Sequence, residues 1–166
     1  MQKTIEQEID MTIQITKRDG TREPLELEKL HKVVFAACED IKGVSASEVE
    51  LRSNVQFYDG IASTDIQETL IKSAADLISE ETPGYQYVGG RLINYHLRKM
   101  VYGEYNPWPL IDIVKKNIDR GFYDSELLNI YTEEEWDILN SYIKHERDEN
   151  LTYAAMLYEV AAEQGM

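Results

Sequence analysis

Between Ile13 and Thr16 apolar and polar side chains alternate with period two. Asp19-Gly20 then offers a tight turn, and from Leu27 the apolar positions recur at helical spacing. The order strand, turn, strand, helix follows. Met11 opens the first strand and residues 22–25 form the second, where Pro24 requires a sheet edge because it has no N–H to donate. Leu27, Leu30, Val33, Val34, Ala37 and Ile41 give a first helix that ends near Gly43. Ser45-Ala46-Ser47-Glu48 has the capping-box pattern and predicts a second helix to about Phe57, broken by Asp59-Gly60. Ser63-Thr64-Asp65 supplies the start of a third, with Ile66, Leu70, Ile71, Ala74, Leu77 and Ile78 on its buried stripe, and Thr82-Pro83-Gly84 stops it. A fourth helix spans 85–102, carries Tyr87, Val88, Leu92, Tyr95 and Val101, and ends at Gly103.

Beyond Asn106-Pro107-Trp108-Pro109 the pattern breaks into short helices at 110–119, 125–131, 133–145 and 152–163. Thr132-Glu133-Glu134-Glu135 reads as a helix start with its own capping box, and His145-Glu146-Arg147-Asp148 as a solvated helix end. The whole predicts a mainly α (α+β) chain in three parts. Residues 1–10 form a flexible leader, 11–103 a domain with a small β-hairpin lid over four helices, and 104–166 a further helical segment.

Composition narrows the partners. With 166 residues, 43% hydrophobic and 29% charged, the chain is long enough and apolar enough to bury a core. Its formal net charge of -14 opposes sequence-independent binding to nucleic acid, which needs a basic face. No apolar run approaches the ~20 residues of a membrane span, and the polar start lacks the apolar segment of a signal peptide. The single Cys38 rules out a disulfide within the chain and fits a cytoplasmic setting.

Against that acidic background, the cations of the opening stretch stand out. Lys17, Arg18 and Lys29 can gather at one spot, and Lys29, in the first turn of a helix, opposes the helix dipole and so wants an anion beside it. Ser63-Thr64 opens the third helix, whose free amides form an anion site. The fourth helix adds Arg91, His96, Arg98 and Lys99, with Arg91 sharing a face with Arg98 or Lys99, and Lys99 is the best phosphate ligand among them. So many cations suit a triphosphate better than a monophosphate. Glu23 and Glu26 offer acceptors for an exocyclic amine or ribose hydroxyls, and Ile15, Leu25 and Leu30 offer apolar flanks for a base. Each residue also has a plainer reading: a solvated hairpin tip, exposed acids on an edge strand, a partly buried histidine with a satisfied ring.

Other signals lead elsewhere. Gly89-Gly90 lacks the Lys-Ser/Thr ending of a phosphate-cradling loop and reads as close packing. His31, His96 and His145 have no metal-ligand spacing with each other or with Cys38, and no nucleophile, base and orienting group form a recognisable unit. The residues describe a binding module rather than a catalyst.

The ordered segments Lys17-Arg18-Asp19-Gly20, Leu25 through Leu30, Val49-Glu50-Leu51-Arg52-Ser53, Gln56-Phe57-Tyr58-Asp59-Gly60-Ile61, Ile71-Lys72-Ser73-Ala74, Tyr85-Gln86-Tyr87 and His96-Leu97-Arg98-Lys99 resemble the N-terminal ATP-cone region of the large (alpha) subunit of class I ribonucleotide reductase. The resemblance continues through Tyr131-Thr132-Glu133-Glu134-Glu135, His145-Glu146-Arg147-Asp148 and Tyr153-Ala154-Ala155. It implies a four-helix cone under a hairpin lid that takes ATP as activator or dATP as inhibitor, with Mg2+ on the phosphates. It implies as partners the reductase's catalytic and small subunits, and self-association under dATP.

Carried over by position, Lys17, Arg18, Lys29, Ser63 and Lys99 correspond to phosphate ligands, and Ile15, Glu23, Leu25, Glu26 and Leu30 to the adenine and ribose surroundings. His96 matches a family histidine near the effector. Gln67 stands where better-studied members carry a histidine implicated in telling ATP from dATP. The chain ends at Met166, before the family's catalytic barrel and redox cysteines, so it is expected to regulate reduction without performing it. A nucleotide-sensing transcription regulator and a non-binding helical adaptor are the alternatives; the first usually appends a zinc ribbon, which Cys38 alone cannot build.

Overall fold

The computed structural model describes residues 13–157, so the expected leader and the Met11 strand opening lie outside the described residues. Strands β1 (Gln14–Thr16) and β2 (Arg22–Pro24) form the hairpin, with Ile15 opposite Glu23 and Thr16 opposite Arg22. Gly20 adopts φ +84° at the turn, and the Asp19 carboxylate accepts hydrogen bonds from the Thr21 amide (2.9 Å) and hydroxyl (2.6 Å). Pro24 sits on the edge strand, as its missing donor requires.

A third strand was not foreseen. β3 (Ile61–Ala62) pairs in parallel with β1, Ile15 beside Ile61 and Thr16 beside Ala62, giving the order β2-β1-β3. Two residues are too few to display an alternation, so the sequence pattern carries no trace of it. Asp59-Gly60, expected only to break a helix, clamps this arrangement. Asp59 Oδ1 accepts from the Gln14 amide (2.9 Å), Oδ2 meets Arg22 Nη2 (3.2 Å), and the Gly60 amide donates to the Gln14 carbonyl (2.8 Å). The Gln14 bond, with the Arg22 charge behind it, holds the Asp59 carboxyl below its ordinary range.

Helices α1 (Leu27–Cys38), α2 (Ala46–Asn54), α3 (Ser63–Ala75) and α4 (Tyr85–Tyr102) close around one core. Leu30, Val34 and Ala37 come from α1, Val49 from α2, Ile66, Leu70 and Ala74 from α3, and Tyr85, Val88 and Leu92 from α4. Ile61 of β3 joins them, and Ile13, Ile15 and Leu25 of the hairpin pack on the same cluster. α1 stops at Cys38, short of Gly43, because Asp40 turns into the left-handed region (φ 59°), and α2 stops before Phe57. Ile78, assigned to the buried stripe of the third helix, is exposed, as are Leu27, Tyr87 and Val101 among the apolar positions of the first and fourth helices; each sits in the terminal turn of its helix or just past it.

The expected capping box of α2 is rearranged. The Ser45 hydroxyl accepts from the Glu48 amide (3.4 Å), but the Glu48 carboxylate turns to the Tyr85 hydroxyl, which donates to it (2.6 Å) and accepts from the Ser45 amide (3.0 Å). Burial and the Glu48 contact raise the Tyr85 phenol above its usual value. A tyrosine from α4 has thus entered the cap and tied two helices together.

After α4 come α5 (Leu110–Asp119), α6 (Leu127–Ile130) and α7 (Glu133–Ser141), with α5 packed on α7, and both halves of the Thr132–Glu135 capping box are made. A 3-10 helix (His145–Asn150) follows, and residues 153–157 are helical; the rest of the expected last helix lies outside the described residues. The 145–148 stretch is not a solvated end but lies across α4. Buried Arg98 donates to the His145 carbonyl (3.1 Å) and pairs with Asp148 (3.3 Å). Gly89 and Gly90 make the crossing close: a Cβ on Gly89 would meet Tyr153 at 3.1 Å, and one on Gly90 would run into the Leu151 carbonyl.

Two substitutions test these contacts. Ala at Gly90 gains about 1 kcal/mol of helix propensity, yet overpacking against backbone costs about 1–3 kcal/mol. Gly90→Ala is therefore expected to lower the unfolding midpoint and to open residues 144–153 to limited proteolysis. Tyr85→Phe leaves the Ser45 amide without its partner and is expected to cost about 1–3 kcal/mol in chemical denaturation.

Candidate functional site

The pleat of the hairpin decides which side chains meet the helices. Ile15, Lys17, Glu23 and Leu25 share one face by the period-two rule and the register of β1 on β2. That face looks onto the start of α1, the start of α3 and the last turns of α4. Between them lies a cavity of about 520 Å3, within the range that holds a nucleotide-sized ligand. Its lining brings together twelve of the residues singled out in the sequence: Ile15, Lys17, Arg18, Glu23, Leu25, Glu26, Lys29, Leu30, Ser63, Gln67, His96 and Lys99. Asp19, Val33, Thr64, Ile66, Tyr95 and Gly103 complete the wall.

The two arginines of α4 do not join them. Arg91 donates to the carbonyls of Glu39 (2.7 Å), Glu149 (3.2 Å) and Ala37 (3.4 Å), a cation at the C-terminal end of α1. Arg98 binds the 3-10 helix and lies over the Tyr105 ring, 4.8 Å from its centroid. Spacing along α4 could not tell these faces apart, because the strap that both arginines hold comes from 47 to 58 residues downstream. Lys99 alone of the three turns to the cavity, with its ammonium 5.5 Å from the Tyr95 centroid.

Four cationic side chains and three carboxylates line the space, and they are distributed unevenly. Lys17 is paired with Glu23 at 2.8 Å and Lys29 with Glu26 at 2.8 Å. The Glu26 bond lifts the Lys29 ammonium above its usual value. Arg18 and Lys99 have no ion-pair partner among the described residues. Asp19 is occupied in the turn by Thr21, which draws its carboxyl below the ordinary range. The first turn of α3, with Ser63 and Thr64 on the lining, has Ala62 at its cap position and no side-chain cap. Its amide end therefore faces the cavity without a side-chain cap, with Asp65 the acidic residue of that turn.

Two polar atoms at this wall lack partners. Gln67 Oε1, one turn into α3, and His96 Nδ1 on α4 are buried and make no hydrogen bond. The ring of His96 is thus not the satisfied histidine of the plainer reading. Burial holds its pKa below the ordinary imidazole value, with Arg18 adding to the effect and Glu68 opposing it, so the ring is neutral at pH 7.

Tyr95 was the lining residue hardest to foresee, since its place in the apolar stripe of α4 reads as core. It is half-buried and stacks on Tyr105 at 5.7 Å. Its position one turn before Lys99 was the available signal. Tyr95 and Val33 also line a second hollow of about 490 Å3 behind the first, bounded by Asn94, Arg91 and Glu149. Cys38 is half-buried, with its thiol pushed up to about 11 by burial, and is no nucleophile at neutral pH. Among the described residues no three His, Cys, Asp or Glu side chains cluster as a metal site, and no helix is long and apolar enough to cross a membrane.

Comparison with known proteins gives this geometry relatives. The chain is 49% identical over 148 residues to the ribonucleoside-diphosphate reductase subunit alpha of Haemophilus influenzae, covering 89% of this chain and 20% of that protein. It is 49% identical over 148 residues to the ribonucleoside-diphosphate reductase 1 subunit alpha of Escherichia coli, covering 89% and 19% respectively. With the subunit alpha of Enterobacteria phage T4 it shares 42% over 147 residues, 87% of this chain and 19% of that one. The chain spans about a fifth of the length of the curated relatives it matches. The ATP cone domain matches residues 13–100, the stretch from the hairpin to the end of α4 that encloses the cavity, and the chain belongs to that family.

Proposed function

We propose that the cavity binds an adenine nucleoside triphosphate and that the chain is the allosteric sensor of a ribonucleoside-diphosphate reductase alpha subunit, with ATP activating and dATP inhibiting. The observation that carries this reading is the convergence of cations, an uncapped helix N-terminus and apolar side chains on one nucleotide-sized cavity. Lys17, Arg18, Lys29 and Lys99 hold the phosphates, aided by Ser63 at the head of α3. Ile15, Leu25 and Leu30 flank the base, and Glu23 and Glu26 accept from its amine or from the ribose. Mg2+ would accompany the phosphates and offset part of their charge.

The effect on the reductase operates by population. ATP and dATP differ by one hydroxyl, so whatever they switch depends on a contact made by one and not the other. Gln67 Oε1, buried beside the cavity with no donor, is the acceptor whose pairing such a hydroxyl changes. The two bound forms present different surfaces to the catalytic and small subunits and to further copies of the chain.

Calorimetry with ATP and dATP tests the reading, with saturable binding of both expected; no binding of either leaves a structural adaptor. Lys17→Ala and Lys99→Ala are each expected to weaken ATP by about tenfold, the worth of one charge-assisted contact, while adenosine changes little. Equal losses for both ligands would remove the phosphate assignment. The His96 ring, followed by NMR, is expected to titrate below the ordinary imidazole value in the free chain and to move upward when ATP arrives, because a nearby polyanion favours the charged ring. An unmoved titration would place the phosphates elsewhere.

A further inference from the structure

We infer that Glu26 and Glu23 are built-in counter-anions which hold Lys29 and Lys17 until a ligand replaces them, and that this exchange makes the cavity select a complete nucleotide over a bare polyphosphate. The inference rests on the nucleotide reading above. Its own basis is that the two lysines nearest the hairpin lid are already engaged, each by a carboxylate on the same cavity wall at 2.8 Å.

Neither pair arises from crowding. Glu23 lies directly across from Ile15, which puts it diagonal to Lys17 on the inward face of the hairpin. Glu26 occupies the cap position of α1, where a side chain ordinarily turns to the helix amides, yet it makes no cap bond and reaches instead for Lys29 three residues on. Both pairs keep substantial exposure, 46% and 33% for Lys17 and Glu23, and 70% and 55% for Lys29 and Glu26. Pairs so exposed are weak and exchange readily. They are strong enough to leave the empty site nearly balanced in charge and weak enough for a polyphosphate to displace.

The displaced acids decide the specificity. Once Lys17 and Lys29 turn to phosphate, two carboxylates remain beside a polyanion, which repels them unless they find donors. Asp19 does not share this position, because Thr21 already satisfies it. The amine of an adenine and the hydroxyls of a ribose supply the missing donors from the other end of the same ligand. Inorganic triphosphate supplies none, so it meets the cost of the exchange without the compensation.

The test measures ATP and inorganic triphosphate, the latter by displacement of ATP, on the 166-residue chain and on Glu26→Gln and Glu23→Gln. Each variant removes one internal anion and leaves a neutral side chain that needs no cation. Inorganic triphosphate is expected to bind each variant about two- to fivefold more tightly, the range set by an exposed ion pair. ATP binding is expected to stay level or weaken, so the preference for ATP narrows. A preference unchanged in both variants, or triphosphate binding that weakens in both, overturns the exchange while leaving the nucleotide site intact. Failure of the unsubstituted chain to bind ATP overturns the nucleotide reading, and the exchange with it.

Discussion

The parallel contact of β1 with β3 is the interaction on which the cavity depends. Only Ile15 with Ile61 and Thr16 with Ala62 are paired, but β3 runs directly into α3, so the pairing fixes the lid relative to the head of that helix. Such a short ladder needs help. Asp59 and Gly60 provide it by holding Gln14, Thr16 and Arg22, so that a side chain at the surface acts as the clasp of the sheet. Released from it, the hairpin would keep its turn through Asp19 and Thr21 but lose its orientation over the helices.

The charge of the chain looks different once the cavity is described. A net charge of -14 repels polyanions at long range, and screening at physiological salt confines that repulsion to about 8 Å. Inside the cavity the nearest charges are Lys17 and Lys29, paired with Glu23 and Glu26, and Arg18 and Lys99, unpaired among the described residues. The acidic exterior and the cavity thus differ in local balance: within the lining the four cations outnumber Asp19, Glu23 and Glu26 by one.

Much of this was legible because the hairpin and the four helices are written in the two simplest periods. Strand alternation announced β1, and α4 runs from Tyr85 to Tyr102 and ends at Gly103 as expected, whereas α3 begins after Ala62 without a side-chain cap and stops at Ala75, well short of Thr82-Pro83-Gly84. The illegible parts share a physical cause, namely partners distant in sequence. β3 is too short to carry a period, and it exists because Gln14 lies beside Gly60. Glu48 has the sequence of a cap but bonds Tyr85, 37 residues away. Arg91 and Arg98 look like Lys99 on paper, and the strap from 145 to 153 claims them. Within the cavity, the residue types gave the chemistry, whereas the internal pairing of lysines with acids is a matter of rotamers that no spacing encodes.

The double use of α4 has a mechanical meaning. The last turns of the helix offer His96 and Lys99 to the cavity; Gly89, Gly90, Arg91 and Arg98 meet the strap. An α-helix of 18 residues is stiff over its length, and here its glycines remove the slack between it and the strap. A tilt of that rod at one side is delivered at the other with little loss, as a crank delivers motion through its shaft.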